Sequence, residues 1–284
     1  MWVDQSSANS GTVYPVGTPL KPVNNFPDAK EIADAKGFKT IRVTGSVVLD
    51  TGDDVSGFII VGSNAATTQI VVNEGAETLG CDIREASVTG TLDGNTILRN
   101  CVITDMNYVN GFVFQCMINP GTIRLGGVTT AHFLDCYSGV PGSGTPVIDM
   151  NGVTDDQDTA LAMRGYKGGI QITEKIGTSS VSIDFVSGQI KIDPSCVAGT
   201  VVVRGNGKVI DAVSGDHLMS GVINGGLNLV NEANYGDHVH DVWQRLGLDK
   251  NNPLTNNDDG SLAVGDITID AAPSGTSIIQ TRRP

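Results

Sequence analysis

The sequence has few of the features on which most enzymes, membrane proteins and nucleic-acid-binding proteins depend. Of its 284 residues only 5% are aromatic and 17% are charged, below the usual quarter for charge. No apolar run approaches the roughly 20 residues of a membrane-spanning helix. Lys and Arg number 18 against 31 Asp and Glu, and this net charge of −13 is not opposed by any basic cluster. We therefore expect no membrane insertion and no binding of DNA or RNA through phosphate neutralisation.

Catalytic and metal-binding motifs are missing as well. The chain has no CxxC pair, GxSxG, P-loop, HExxH or dinucleotide fingerprint. Five cysteines are an odd number for a disulfide framework. The first residues, Met1–Gln5, have neither the basic region nor the apolar core of a signal peptide. We expect a protein that is made in the cytoplasm, is not an enzyme and carries no cofactor.

What the sequence does contain is a long series of short apolar segments rich in β-branched residues. Each is three to five residues long, and many alternate apolar with polar, as half-buried strands do. They return every ten to twenty residues without becoming longer, which favours the turns of a right-handed β-helix, a solenoid, over a hairpin sandwich. The fold class predicted is all-β, with this body over residues 39–213. The segments are Thr40–Thr44, Phe58–Val61, Gln69–Val72, Thr96–Leu98, Thr122–Leu125, Gly169–Ile172, Val181–Phe185, Gln189–Ile192 and Thr200–Val203.

Four cysteines repeat with a similar period. Cys81, Cys101, Cys116 and Cys136 are 20, 15 and 20 residues apart, and the last three share a local pattern of one polar residue before the cysteine. Free cysteine packs as a small buried apolar residue. The spacing predicts an internal ladder of stacked cysteines, although scattered core positions remain an alternative.

Residues 1–38 are predicted to be an arm followed by a capping helix. The arm, residues 1–23, is rich in turn residues and is expected to be ordered only against something else. Asn24 or Asn25 can cap the helix, Pro27 suits its first turn, and Gly37 provides a left-handed stop. A short amphipathic helix at this point would cover the open end of the solenoid.

A clustered set of carboxylates lies where the strand rhythm falters, between residues 138 and 168. Asp149 is followed by Asp155, Asp156 and Asp158. Such a loop could hold a cation such as Ca²⁺ or supply paired acids for cleaving a glycosidic bond. A solvated, turn-rich corner is the simpler interpretation.

After residue 213 the composition changes. Residues 214–250 are predicted to be a linker and an amphipathic helix over about 235–246, and 251–284 a small β module, so the C-terminal part is α+β. His238 and His240 are the candidate metal ligands, but on a helix residues two apart diverge by about 200°, so one axial site cannot take both. Asn256–Gly260 imitates part of an EF-hand loop but lacks its leading Asp and its Glu, and is interpreted as a turn.

Both ends and the middle of the chain carry a set of distinctive short motifs. They are Trp2–Asp4, Ser10–Thr12, Tyr14–Pro19, Pro22–Asn25, Phe133–Gly142, Gly144–Met150, Val242–Leu248, Asn252–Thr255 and Ile279–Arg282. These motifs resemble those of a family of bacteriophage virion structural proteins, and the last three resemble a small module that closes many phage structural proteins.

The resemblance implies a β-helical virion component, a tail fibre, spike or baseplate-attached subunit that contributes to assembly and host attachment. A head fibre or decoration protein is one alternative, and a tailspike-type glycan hydrolase or lyase is another. The expected partners are further copies in a homotrimer, other tail or baseplate proteins, and a host-surface glycan or protein. The expected location is the virion.

Overall fold

The computed structural model describes residues 1–126, 130–139, 144–152, 159–197 and 200–213, and the backbone of five short strands between 227 and 280. In this part of the chain there is one helix, α1, and the remaining elements are strands. The helix spans Phe26–Lys36. The strands are β1 Trp2–Val3, β2 Thr40–Val43, β3 Ser46–Leu49, β4 Ile59–Val61, β5 Gln69–Val72, β6 Asp82–Arg84, β7 Ser87–Leu92, β8 Thr96–Arg99, β9 Val102–Tyr108, β10 Gly111–Phe114, β11 Met117–Ile118, β12 Thr122–Leu125, β13 Thr130–Leu134, β14 Tyr137–Ser138, β15 Val147–Asp149, β16 Ala160–Thr173, β17 Ser180–Ile192, β18 Thr200–Gly205, β19 Gly207–Asp211, β20 Leu227–Asn231, β21 Thr255–Asn256, β22 Leu262–Val264, β23 Ile267–Asp270 and β24 Ile278–Gln280.

The described strand pairs of the large sheet are parallel, and from β2 to β14 each strand pairs with one that lies two or three elements further along the chain. The pairings form three columns. Column A contains β2, β4, β6, β8, β10, β13, the first parts of β16 and β17, and β18. Column B contains β3, β5, the first parts of β7 and β9, β11, β14 and the middle of β16 at Lys167. Column C contains the last parts of β7 and β9, then β12, β15, the last parts of β16 and β17, and β19.

Column A is held together by one apolar ladder. One inward position of each strand is in register with the next, and every such side chain is at most 1% exposed. Burying an aliphatic side chain of this size stabilises a fold by about 1.5–3 kcal/mol. The ladder is Ile41, Ile60, Ile83, Leu98, Val113, Phe133, Met163, Ile183 and Val203.

We call each column A strand, together with the chain that follows it up to the next column A strand, one level. At five successive levels, a single residue with positive φ makes the turn from column A into column B. Its backbone is left-handed, a conformation rare outside Gly, Asn and Asp. At four levels the amide of this residue donates to the carbonyl of the residue before the next turn, as Asn100 N does to Phe114 O at 3.0 Å. The five residues are Glu85 (φ 56°), Asn100 (52°), Gln115 (53°), Asp135 (54°) and Gly165 (70°).

The cysteine ladder is confirmed for three of the four predicted members. Cys101, Cys116 and Cys136 follow the left-handed residue at successive levels, and the Cys101 amide donates to Cys116 Sγ at 3.3 Å. The inclusion of Cys81 was wrong, because it precedes a column A strand and stacks on Thr96, whose neighbour Ile97 donates to Cys81 O. All five cysteines are free and buried.

The predicted capping helix is confirmed. Asn25 is the N-cap, and its Oδ1 accepts from Asp28 N at 2.8 Å. Gly37 ends the helix with φ 70°. One side of the helix, Phe26, Ala29, Ile32 and Ala33, is buried, whereas Lys36 in its last turn is exposed.

The arm is ordered against the body of the same chain. Trp2 and Val3 form β1, which adds a parallel strand to the start of column A beside β2. The Gln5 side chain binds the first strand of column B, β3, where it donates to Val48 O and accepts from Val48 N, both at 2.7 Å. The arm nevertheless leaves three apolar side chains in solvent, with Val13 79%, Tyr14 82% and Leu20 93% exposed.

All nine predicted segments are strands, but two of the later elements are longer than expected. β16 has 14 residues and β17 has 13, because each passes from column A to column C without a break. The two segments predicted around residues 181–185 and 189–192 are therefore one strand. The interruption of the strand series that was expected between residues 138 and 168 is shorter in the structure, because β15 lies at 147–149 and β16 begins at Ala160.

The chain divides into two compact units, Met1–Val230 and Asn231–Pro284. In the second, where the sequence predicts a small β module, β21, β22, β23 and β24 form an antiparallel sheet. The predicted helix at about 235–246 lies outside the described residues. The predicted boundaries at 38, 213 and 250 remain predictions.

Candidate functional site

The outer side of column C carries a polar row. Asn107, Arg124 and Asp149 occupy equivalent positions in successive strands, between Thr91 and Thr173. Asn107 donates to the Thr91 hydroxyl at 3.2 Å, and Arg124 Nε donates to Asp149 Oδ2 at 2.9 Å. Open grooves of about 310 Å³ and 240 Å³ border this row, and Arg124 lines both.

A second carboxyl group, Glu174, joins this row at the corner that follows. Burial and then the neighbouring Asp149 carboxylate raise the pKa of Glu174, whereas Arg124 lowers it. Glu174 Oε2 is buried and has no hydrogen-bond partner. Asp149 itself is 4% exposed and accepts from Asn151 N at 2.8 Å as well as from Arg124.

The pair can be compared with the carboxyl groups of a glycosidase. A carboxyl with a raised pKa beside an ionised one is the arrangement that general acid catalysis needs. However, Asp149 directs its two oxygens to Arg124 and to the backbone of Asn151, and is buried. The contacts of Asp149 therefore stabilise the corner and leave little of the carboxylate for a substrate.

A fully buried lysine follows Glu174 in the chain. Lys175 is 0% exposed, and its Nζ donates to Ile176 O at 2.9 Å. Burial lowers the pKa of Lys175. The next level stacks on it, since Val197 N donates to Lys175 O at 2.9 Å. Lys175 is thus part of the interior of the corner and does not line the grooves.

The other residues that the sequence singled out fall on parts of the chain that the structure does not describe. Asp155, Asp156 and Asp158, His238 and His240, and most of the Asn256–Gly260 turn lie outside the described residues. Within the part that is described, no group of three or more His, Cys, Asp or Glu could hold a metal ion. The metal interpretations therefore stay untested predictions.

The outer side of column A has a different character, with cations and aromatic rings together. Arg84 and Arg99 are directly in register, and both bind Asp82, at 2.7 Å and 3.2 Å. Arg99 lies over the Phe114 ring, 4.5 Å from its centroid. Phe112, in the same strand as Phe114, is 40% exposed.

Sequence reasoning missed this face, although a usable signal was present. The pattern recognised at Cys101, Cys116 and Cys136 also occurs at Glu85 and Ala86, and at the level after Cys136 the residues Gly165 and Tyr166 take the same two places. Aligning all five levels places Arg84, Arg99, Phe114, Leu134 and Arg164 in one row, as the structure does.

Comparisons of the chain with protein-family models, with curated proteins and with solved structures found no match. Among the described residues, no helix has the length and apolar character to cross a membrane.

Proposed function

We propose that this chain is a non-enzymatic structural subunit of a bacteriophage virion, a tail fibre, spike or baseplate-attached component. In this proposal columns A, B and C are the three faces of a right-handed β-helix. The observation that carries it is the in-register apolar ladder of column A, which continues through nine levels from Ile41 to Val203. Connections between parallel strands of one sheet are right-handed in about 98% of cases, which supports the proposed hand.

The N-terminal end supports the same function. β1 and α1 cover the first strands, as repeat proteins require at an open end. Exposed Val13, Tyr14 and Leu20 at this end are the side chains that an attachment to another virion protein would bury. The proposed partners are two further copies in a trimer, other tail or baseplate proteins, and a host-surface glycan or protein.

The experiment is to locate the chain in purified particles. An antibody raised against the purified chain should label the tails of gradient-purified phage in electron micrographs, and mass spectrometry of these particles should find the chain. The chain made in the host cytoplasm should thus be carried into the virion. If the chain stays in the lysate and is absent from the particles, the virion proposal is wrong.

Two alternatives give different results. Label on the capsid would indicate a head fibre or decoration protein. Release of reducing ends or unsaturated sugars from purified capsule or lipopolysaccharide would indicate a glycan hydrolase or lyase, for which Asp149 and Glu174 are the paired acids. The contacts of Asp149 with Arg124 and Asn151 favour the non-enzymatic function.

A further inference from the structure

Five arginines lie along one outer face of a chain whose net charge is −13. They lie with Val61, Phe114, Leu134 and Asp184 in a single register row that runs along column A. The row starts with Trp2 beside Arg42, and the Arg42 guanidinium lies 5.7 Å from the Trp2 ring centroid. We call this surface the arginine face, and its arginines are Arg42, Arg84, Arg99, Arg164 and Arg204.

The face is not explained by the stability of the fold. Arg84 and Arg99 are register partners in adjacent strands, and like charges directly opposite each other destabilise a sheet. One carboxylate, Asp82, binds both of them, yet their side chains remain 40% and 38% exposed. Because the Arg84–Arg99 pair destabilises the sheet, the simplest explanation for it is a role in binding.

The middle of the face carries three stacked rings. Phe112 stacks on His132 with centroids 4.8 Å apart, and on Phe114 with centroids 5.7 Å apart. Arg99 covers the other aromatic ring of this group, Phe114. Aromatic rings flanked by arginine are the composition of the energetically important centre of a protein interface.

A surface of opposite charge lies on the segments that lead into column A at the first levels. These segments join β3 to β4, β5 to β6 and β7 to β8. Its residues are held by backbone bonds between levels, such as Val55 N to Glu77 O at 2.9 Å and Glu77 N to Asp53 O at 2.8 Å. Leu79, in its midst, is 56% exposed. We call this surface the acidic corner, and its carboxylates are Asp50, Asp53, Asp54, Glu74, Glu77 and Asp93.

We propose that the arginine face of one copy packs against the acidic corner of a second copy of this chain, and that this contact repeats around a closed ring. The inference rests on the proposed function, in which several copies assemble side by side. A contact between two different patches closes into a ring when its rotation allows, and a trimer is the smallest such ring.

The levels of the two surfaces agree with a ring. A closed ring about an axis along the direction of stacking has no shift along that axis, so residues of the same level meet. Glu77 and Leu79 lie in the segment that leads into β6, which carries Arg84. Asp93 lies just before β8, which carries Arg99. At these two levels Arg84 and Arg99 of one copy therefore face Glu77 and Asp93 of its neighbour at matching heights.

A second copy fits the arginine face better than an anionic polymer does. Polymers of this kind bind to a stripe of uninterrupted positive charge. The row on column A is interrupted by Phe114 and Leu134 and carries the acid Asp184, and Asp82 lies beside it. The negative net charge of the whole chain would also repel a polyanion, whereas it supplies the acidic surface of a second copy.

The test is a charge-reversal cycle on the full chain, with association measured by sedimentation equilibrium. Arg84→Glu and Glu77→Lys should each weaken self-association at least about tenfold, because each brings like charges together. The double variant restores opposite charges at every contact and should return association to within about threefold of the original chain. The control is Lys167→Glu, which reverses an exposed cation on column B and should leave self-association unchanged.

Thermal unfolding of each variant shows whether the fold is intact, and the exposed Glu77 keeps the test informative if Arg84→Glu unfolds. The inference is overturned if the full chain is monomeric, if both single variants associate as the original does, or if the double variant stays as weak as the singles. It is also overturned if Arg84→Glu removes binding to heparin but leaves association unchanged, since the face would then serve a polyanion. The particle experiment decides the virion function separately, because a chain can be present in particles with association unaffected by these variants.

Discussion

The left-handed corner at Gln115 offers a direct test of the register of the columns. At five equivalent corners the chain uses Glu, Asn, Gln, Asp and Gly, all with φ between 52° and 70°. A Cβ in this conformation costs roughly 1–2 kcal/mol, which short Asn and Asp side chains partly offset by local hydrogen bonds. Gln115 has a longer side chain that is exposed. It is therefore the corner where a change of residue should reveal the backbone conformation most clearly.

Gln115→Gly should stabilise the protein by about 0.5–1 kcal/mol. The change removes about 1–2 kcal/mol of strain and adds about 0.5–1 kcal/mol of chain entropy to the unfolded state. Gln115→Val should destabilise by at least about 1 kcal/mol, because a β-branched residue is least tolerated at positive φ. The reciprocal change, Gly165→Ala, should also destabilise, since a Cβ at that corner would overlap the Asp135 carboxylate.

Urea unfolding followed by circular dichroism measures these differences, and Gln115→Gly should raise the melting temperature by about 1–4 °C. The matched control is a glycine at a partly exposed strand position with negative φ, such as Thr89→Gly, which should destabilise. If Gln115→Gly is as destabilising as the control, residue 115 is not left-handed and the proposed register of columns A and B is wrong.

Four other predictions concern packing and the acid pair. A thiol reagent should label none of the five buried cysteines at neutral pH until the protein is denatured, because burial raises the pKa of Cys81, for example, to about 12; rapid native labelling would contradict the ladders. Phe133→Ala should lower the free energy of unfolding by about 3–5 kcal/mol in urea, since the ring is fully buried in the column A ladder. Asn25→Ala should cost about 1 kcal/mol in the same assay by removing the helix N-cap, and no loss would exclude that role. Glu174→Gln should stabilise the protein at neutral pH, because the raised pKa of the Glu174 carboxyl means that the original chain loses stability as the pH rises through that pKa. The difference in unfolding free energy between the variant and the original chain should disappear below about pH 4. A difference that does not depend on pH would show that ionisation of Glu174 is not its cause.

The sequence predicted nine segments and missed other strands, among them β3, β6 and β10. In β6 only Ile83 is buried, between half-buried Asp82 and Arg84, whereas β3 and β10 were missed although each contains three consecutive apolar residues. Periodicity needs several repeats to be detected, and a three-residue strand offers one. The parallel pairing itself was predictable, since short β-branched segments without hairpin turns recur along the chain.

The register could not be predicted, because the levels differ in length. Successive members of the column A ladder are 15 residues apart from Ile83 to Leu98 but 30 apart from Phe133 to Met163. The interval of 20 between Cys81 and Cys101 was therefore taken for one level, although the level there is 15 residues and ends at Thr96. Any surface made by stacking, including the arginine face, was hidden by the same irregularity.

The arginine face also predicts that stability and association can be separated by one substitution. At about 5 Å, the spacing of adjacent strands, two cations repel by roughly 1 kcal/mol in water-like surroundings and by about 3 kcal/mol near a protein surface. In Arg99→Thr this repulsion from Arg84 disappears. The contact with Phe114 and the shared bond to Asp82 are also lost, and each contributes about 1 kcal/mol or less for a side chain as exposed as Arg99. The free energy of unfolding, measured in urea at a concentration where the chain is monomeric, should therefore stay within about 1 kcal/mol of the original or rise. Self-association of the same variant should fall about tenfold, because the cation that meets Asp93 of the next copy is gone. A variant that loses stability but associates normally would show that Arg99 serves the fold and that the arginine face is not where copies meet.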